Sequence, residues 1–422
     1  MNTITQTSIY TNYNTGNFLG SLNELSEVLS AIPYDNLVDT LNKEQSESGG
    51  RWGYSNEAMF CALLTYHFYN YHCFQDFVDE LQRNGGLREC IGFHPHIISI
   101  WKDGTREIKV QLAPSSSTFS KFKKRLHNKF DDIDRIFNEC VAELYDRLKD
   151  FGEVLAGDGK IIESCANEKT DKTKPDGRSE ADAEWTVKEY YDKKRNLIDR
   201  ESFFGFRVHI LCDATYELPV SFSVTPANVG EQSILKDMIR EMPESISCAD
   251  RHLIADRGYD DSEIRELLKD RDIKPIIPTR HLWQGDNTRQ YQNTDLVYNE
   301  DGEVFYVNNK CEKILLKAVG YDKQTDSQRY TFHPKDYHKS DGLNNKVFRV
   351  KYDEYPRIFP PVTQTTYKFE RLYAKRTAVE RINSRIDSTY RFENHKIRGE
   401  NSMRLNLSLA LIIMLTKKVT DP

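Results

Sequence analysis

Apolar positions recur at helical spacing through the first part of the chain and at strand spacing after about residue 150. Leu22 to Leu41, Ser55 to Asn70, Cys73 to Arg83 and Asp131 to Leu148 each read as a helix, with Gly49-Gly50, Gly85-Gly86 and Pro114 as punctuation. Residues 1–150 are therefore expected to form a mostly helical domain. Beyond it, Glu153 to Ala156 and Ile161 to Ile162 flank Asp158, and two further runs, Phe206 to Cys212 and Leu218 to Val224, are joined by a hairpin-like link over Asp213 to Glu217. A helix over Glu231 to Glu241, a strand over Leu253 to Ala255, a helix over Asp261 to Lys269 and a strand over Lys274 to Pro278 follow.

Three neighbouring strands, then helix, strand, helix, strand, is the order of an RNase H-like α/β mixed sheet with flanking helices. Two stretches interrupt it. Residues 166–202 are highly charged and poor in aliphatics, which predicts a partly mobile excursion or a long polar helix. Residues 281–366 are rich in Tyr, Val and tight-turn signals such as Glu300-Asp301-Gly302, which predicts an inserted β-rich subdomain. The expected organisation is a helical domain over 1–150, the first part of the α/β core over 151–280, the insertion over 281–366, and the C-terminal helices of the core over 367–422.

Composition narrows the class. At 422 residues, with 38% hydrophobic and 29% charged residues, the chain suits a soluble protein of more than one domain. A net charge of −6 means that any nucleic-acid surface is local. The eight cysteines never form a Cys-x-x-Cys pair and read as buried free thiols. The N-terminus has no secretory pattern, and the longest apolar run, Leu405 to Leu415, is too short to span a bilayer and reads as a buried core helix. A cytoplasmic location without membrane contact is expected.

The candidate chemistry is carried by carboxylates. Val154-Leu155-Ala156-Gly157-Asp158 and His252-Leu253-Ile254-Ala255-Asp256 each end an apolar strand in an aspartate, and Glu380 sits in a helical run from Tyr373 to Asn383. Strand-end acids converge at one edge of a sheet, and a helix across that edge adds a third oxygen donor, an arrangement able to hold two divalent metals. Gly157-Asp158-Gly159 also fits a plain turn, and Glu380 also fits a surface pair with Arg376 four residues earlier. At helical spacing Tyr373, Arg376, Glu380, Ser384 and Asp387 share a stripe, beside an apolar one of Val379, Ile382, Ile386 and Tyr390.

Two basic segments point to a polyanion. Between Lys368 and Arg404 there are ten bases, among them Arg376, Arg381, Arg385 and Lys396, against five acids. Pro114 to Leu126 combines an N-cap cluster of hydroxyls with Lys121, Lys123, Lys124 and Arg125, which suits a phosphate backbone and equally a capped, solvated surface helix. His209 and Trp283 read as packing residues, and Cys311 with His333 lacks metal-ligand spacing.

On Gly157-Asp158-Gly159-Lys160, Ala255-Asp256-Arg257-Gly258-Tyr259-Asp260 and Tyr373-x2-Arg376-x3-Glu380, the chain resembles the DDE transposases of bacterial insertion sequences. Thr225-Pro226-Ala227-Asn228 and the Pro114 to Leu126 segment are also similar. The position of the signature's closing lysine falls on Asp387, a departure for which Arg385 or Lys396 would stand in. The resemblance implies DNA strand cleavage and strand transfer with two Mg²⁺ ions, for which Mn²⁺ would substitute. Asp158 would bridge both ions, Asp256 and Glu380 would hold one each, and Tyr373 and Arg376 would grip the DNA backbone. Terminal inverted repeats and target DNA are the implied partners, with a homodimer in the DNA complex and association with the nucleoid when DNA is bound. A structure-specific nuclease, or an inactive or domesticated DNA-binding protein, are the alternative readings of the same residues.

Overall fold

The computed structural model describes residues 20–47, 53–102, 105–169, 178–192, 196–242, 250–283 and 288–421. Gly49-Gly50 and Cys248 lie outside them. The described residues form two compact units, one of residues up to Arg147 together with Ile386 onward, the other of Leu148–Arg385. From Ile386 the chain thus groups with the N-terminal helices, whereas all of 367–422 was expected with the core.

The first unit contains α1 (Gly20–Ala31), α2 (Asp35–Glu47), α3 (Asn56–Phe68), α4 (Phe74–Arg83), α5 (Gly85–Ile91), the strands β1 (His96–Lys102) and β2 (Thr105–Gln111), α6 (Ser116–Leu126) and α7 (Phe130–Arg147). Ser55 caps α3 by accepting the Ala58 amide hydrogen bond, and the helix is buried almost all round. Leu22 to Leu41 is not one helix, because Pro33 breaks it into α1 and α2. The antiparallel β1–β2 hairpin was not foreseen in a region expected to be helical.

The second unit opens with β3 (Val154–Glu163), β4 (Glu184–Tyr191), β5 (Leu197–Asp213), β6 (Leu218–Pro226), α8 (Glu231–Glu241), β7 (His252–Ile254), α9 (Ser262–Asp270) and β8 (Lys274–Ile276). Strand β5 pairs antiparallel with β3 and β6, β7 runs parallel to β3, and β8 runs parallel to β7. The order β6-β5-β3-β7-β8, with helices between the parallel strands, is the RNase H-like arrangement that the element order predicts. Of residues 166–202, 170–177 and 193–195 lie outside the described residues; the others hold no helix, and β4 and the first half of β5 form an antiparallel pair. Its alternation is poorly legible because Trp185, Val187, Leu197 and Ile198 stay exposed, so burial sorts neither face.

The insertion is a six-stranded antiparallel sheet of β9 (Arg289–Gln290), β10 (Leu296–Tyr298), β11 (Val304–Val307), β12 (Lys313–Asp322), β13 (Ser327–Phe332) and β14 (Phe348–Lys351). It has its own core of Tyr298, Val304, Tyr306, Tyr330, Phe332, Val350 and Phe359, among others. Trp283 packs against that core edge-on to Tyr298, and Arg289 lies over its ring. The chain then returns through α10 (Tyr367–Tyr373) and α11 (Thr377–Ser384). The last helix, α12 (Glu400–Thr420), belongs to the first unit and is buried over most of its length, as its apolar run predicts. Among the described residues no helix is long and apolar enough to cross a membrane. All described cysteines are free, but Cys165 and Cys311 are exposed rather than buried.

Candidate active site

Register brings the two aspartates together. In the parallel pairing of β3 with β7, Ala156 stands opposite Ile254, and Asp158 and Asp256 each lie two residues beyond that pair. Asp158 is not at a strand end or in a loop, however; β3 continues through Glu163, and Asp158 pairs with Ile210 of β5. Asp256 does lie just past its strand, two residues after Ile254, and it caps a short 3₁₀ turn over Arg257–Tyr259 by accepting the Gly258 amide hydrogen bond at 2.6 Å.

The Asp158 carboxyl is largely removed from water. Burial, then the charge of Glu231, then that of Asp256 push its pKa up to about 6, while the Gly159 amide and Arg376 pull the other way. Glu231, the first residue of α8, was not singled out from the sequence. It forms an ion pair with Arg207 of β5 at 2.8 Å, the two side chains being 28% and 12% exposed. Burial raises its pKa too, opposed by Arg207 and reinforced by Asp256. A polar helix start after Ala227-Asn228 offered no sign of which strand it would overlie.

Glu380 arrives on α11, which packs on β3 and β5. The helical run is not continuous: α10 ends at Tyr373, a 3₁₀ turn covers Ala374–Arg376, and α11 is followed by a π turn from Arg385. Val379, Ile382 and Ile386 are fully buried, as the apolar stripe predicts. Glu380 is exposed, and its Oε1 accepts from Arg376 at 2.6 Å. The residue of this helix that reaches Asp158 is Asn383, whose Nδ2 lies 3.4 Å from Asp158 Oδ2 and whose Oδ1 is buried without a hydrogen-bond partner.

The residues picked for DNA contact divide by environment. Tyr373 stacks on Phe369 at 5.8 Å. Arg381 is exposed and pairs with Glu217 at 2.5 Å, and Arg385 donates to the carbonyl oxygen and carboxylate of the same Glu217. Lys121, Lys124 and Lys396 are exposed. Lys123 turns inward, its ammonium 3.7 Å from the centre of the Phe74 ring, and burial pushes its pKa down to about 8. Arg125 donates to Asn56 Oδ1 and the Leu41 carbonyl oxygen. Lys123 and Arg125 therefore hold the helical unit together and are not part of an open basic face. His209 is buried, bonded through Nε2 to Thr225 Oγ1, and held neutral by burial, as expected of a packing residue.

Two observations fit a divalent cation at this place: a desolvated carboxyl facing two like charges, and the unpartnered Asn383 Oδ1 beside it. Glu380, engaged by Arg376, does not join them in this conformation, and among the described residues no three His, Cys, Asp or Glu side chains stand at metal-ligand spacing.

Over 94 residues, 21% of this chain, it is 32% identical to a putative transposase for insertion sequence element IS402 of Burkholderia cepacia. The match spans 44% of that relative, so the chain covers less than half of its length. It is also similar to the piggyBac transposase in a synaptic complex with hairpin DNA, at 10% identity and a TM-score of 0.39, over 96% of this chain and 75% of that one. Residues 150–416 match the transposase DDE domain, a stretch that holds both strand-borne aspartates and the helix with Glu380. The chain belongs to the transposase DDE-domain family.

Proposed function

We propose that this protein is a DNA transposase, cutting DNA at the ends of an insertion sequence and joining the cut ends to a target. The observation that carries the reading is the register of β3 and β7, which brings Asp158 and Asp256 to the same edge, where burial and like charge act on the Asp158 carboxyl. Asp158, Asp256 and Glu380 are the acids that would hold two Mg²⁺ or Mn²⁺ ions. Such ions, when bound, activate an oxygen nucleophile and neutralise charge on the phosphate under attack. The chain's own residues prepare that chemistry. Burial around Asp158 excludes water and strengthens its attraction for a cation. Tyr373, Arg376, Arg381 and Arg385 offer donors to the DNA backbone next to the acids, and Lys121, Lys124 and Lys396 offer exposed charge elsewhere. Arg376 must exchange Glu380 for a phosphate, which frees the carboxylate when DNA arrives.

The test is strand cleavage and joining on duplexes carrying the terminal repeats, with Mg²⁺ or Mn²⁺ supplied. Asp158→Ala, Asp256→Ala and Glu380→Gln should each lower cleavage by at least about 10³-fold while DNA binding persists. Full cleavage by any one purified variant would remove that residue from the machinery. Cleavage without joining would identify a nuclease of the same fold.

A further inference from the structure

Where the α/β core meets the β-rich insertion, the second unit holds a cleft of about 470 Å³ that the active-site reading does not use. It is lined by Lys274 at the start of β8, by the β12 bulge between Ala318 and Gly320, by Gln328 of β13, and by the returning segment around Thr363. Lys323, in the turn after β12, and Lys368, the second residue of α10, also line it. Among the described residues no acid does. Lys274 pairs with Asp250, Lys368 reaches the same Asp250 at 3.9 Å, and Lys323 reaches Asp272 at 3.6 Å. Three cations thus share two acids, whose side chains are 58% and 77% exposed, so these pairs hold the lysines weakly. Burial lowers the pKa of Lys274, and the charges of Lys368 and Lys323 lower it further. The three ammonium groups therefore oppose one another across the cleft, and an anion between them would relieve that repulsion.

The lining also holds polar groups that nothing in the fold satisfies. Thr363 is fully buried and its Oγ1 has no hydrogen-bond partner; Gln328 is buried as well, and its Oε1 has none. Buried polar atoms are seldom left so, and each calls for a ligand or water. A hydroxyl and a carboxamide can both donate to phosphate oxygens, as ammonium groups do. Helix α10 carries the cleft toward the acids, with Lys368 second in the helix and Tyr373 last. Five residues of helix span about 7.5 Å, roughly two nucleotide steps along one DNA strand.

We propose that Lys274, Lys323 and Lys368, with Thr363 and Gln328, form a phosphate-binding cleft that grips the DNA backbone at the junction of core and insertion. The inference rests on the transposase reading given above, and it extends the DNA path from Tyr373 along α10. It also gives the insertion a part in holding DNA, because Lys323 and Gln328 come from the insertion while Lys274 belongs to the core sheet.

The experiment measures binding of the full chain to a random-sequence DNA duplex without divalent metal, over a range of NaCl concentrations, with thermal unfolding of each variant alongside. Lys323→Gln combined with Lys368→Gln removes two exposed charges. It should lower affinity at least about tenfold at low salt and reduce the slope of log K against log salt by about 2. Lys335→Gln combined with Lys339→Gln, two exposed lysines of the insertion outside the cleft, should leave the slope within about 0.5 of the parent. Thr363→Val keeps the shape of the side chain and removes the unpartnered hydroxyl. It should weaken duplex binding by about threefold or more without lowering the unfolding temperature, and parental affinity would remove the hydroxyl from the site. A parental slope in the first pair, or an equal fall in both pairs, would overturn the proposal. Calorimetric binding of inorganic phosphate that the first pair abolishes, with its DNA slope still parental, would overturn it in favour of a free phosphate compound. Should the first pair fail to fold, Lys323→Gln alone is read against an expected fall in slope of about 1. Absence of duplex binding by the parent chain would instead overturn the transposase reading beneath the proposal.

Discussion

Asp158 is held in a state that the fold itself disfavours. Its ordinary pKa of 3.8 rises to about 6 in the folded chain, so folding favours the protonated form. The group's contribution to stability is therefore fully present below about pH 4 and is lost as pH rises through 6, leaving an ionised, poorly solvated carboxylate at pH 7 to 8. In EDTA at pH 7.5, Asp158→Asn should unfold roughly 2 to 5 °C above the parent, and the gap should close near pH 4. An equal or lower unfolding temperature for the variant at pH 7.5 would show that Asp158 is not strained. Asp256 was legible because an apolar strand ends on it. Asp158 was legible as an acid but misplaced, because Gly157 and Gly159 read as a turn. Glu231 was not legible, since its partners Arg207 and Gly159 come from strands distant in the chain.

The segment after Asp256 shows how the elements are tied together. Asp260 and Arg265 have fully buried side chains; Asp260 Oδ1 accepts from Arg265 Nη2 at 3.0 Å, and Oδ2 accepts from Arg357 Nε at 2.6 Å and the Arg280 amide at 2.7 Å. One carboxylate thus joins the 3₁₀ turn after Asp256, helix α9 and both ends of the β-rich insertion. Asp260→Ala would strand the Arg265 guanidinium in the core and should cost about 3 to 5 kcal/mol in denaturant unfolding, whereas a loss below about 1 kcal/mol would mean that water or a neighbour replaces it. The sequence shows Asp260 inside a motif, but its partners at 265, 280 and 357 meet it only after the insertion has folded back. The β4–β5 hairpin escaped the sequence reading for the opposite reason, since strands exposed on both faces carry little imprint of burial.

At the scale of the molecule, three buried histidines contribute to the response to acid. Burial lowers the pKa of His67 to about 3 and those of His209 and His252 to about 4, from an ordinary 6.5. Folding keeps these rings neutral, so their contribution is present above pH 6.5 and is lost as pH falls toward 4, while the buried carboxyls of Asp158, Asp213 and Glu231, whose pKa values are raised, run the other way. Relative to the parent, His209→Gln should therefore lose less unfolding temperature between pH 6.5 and 4.5; an unchanged profile would remove His209 as a contributor. Periodicity was sufficient for the β3, β5 to β8 order of the core sheet with its helices, for the β-rich insertion and for the core helix at the C-terminus, because side-chain spacing along a helix or strand is a local property. Which acids meet depended on the register of β3 against β7 and on how α8 and α11 seat over that edge. Those contacts join residues far apart in the chain, and no local pattern encodes that Asn383 reaches Asp158 or that Glu231 pairs with Arg207, whereas the Arg376–Glu380 pair is four residues apart and was legible.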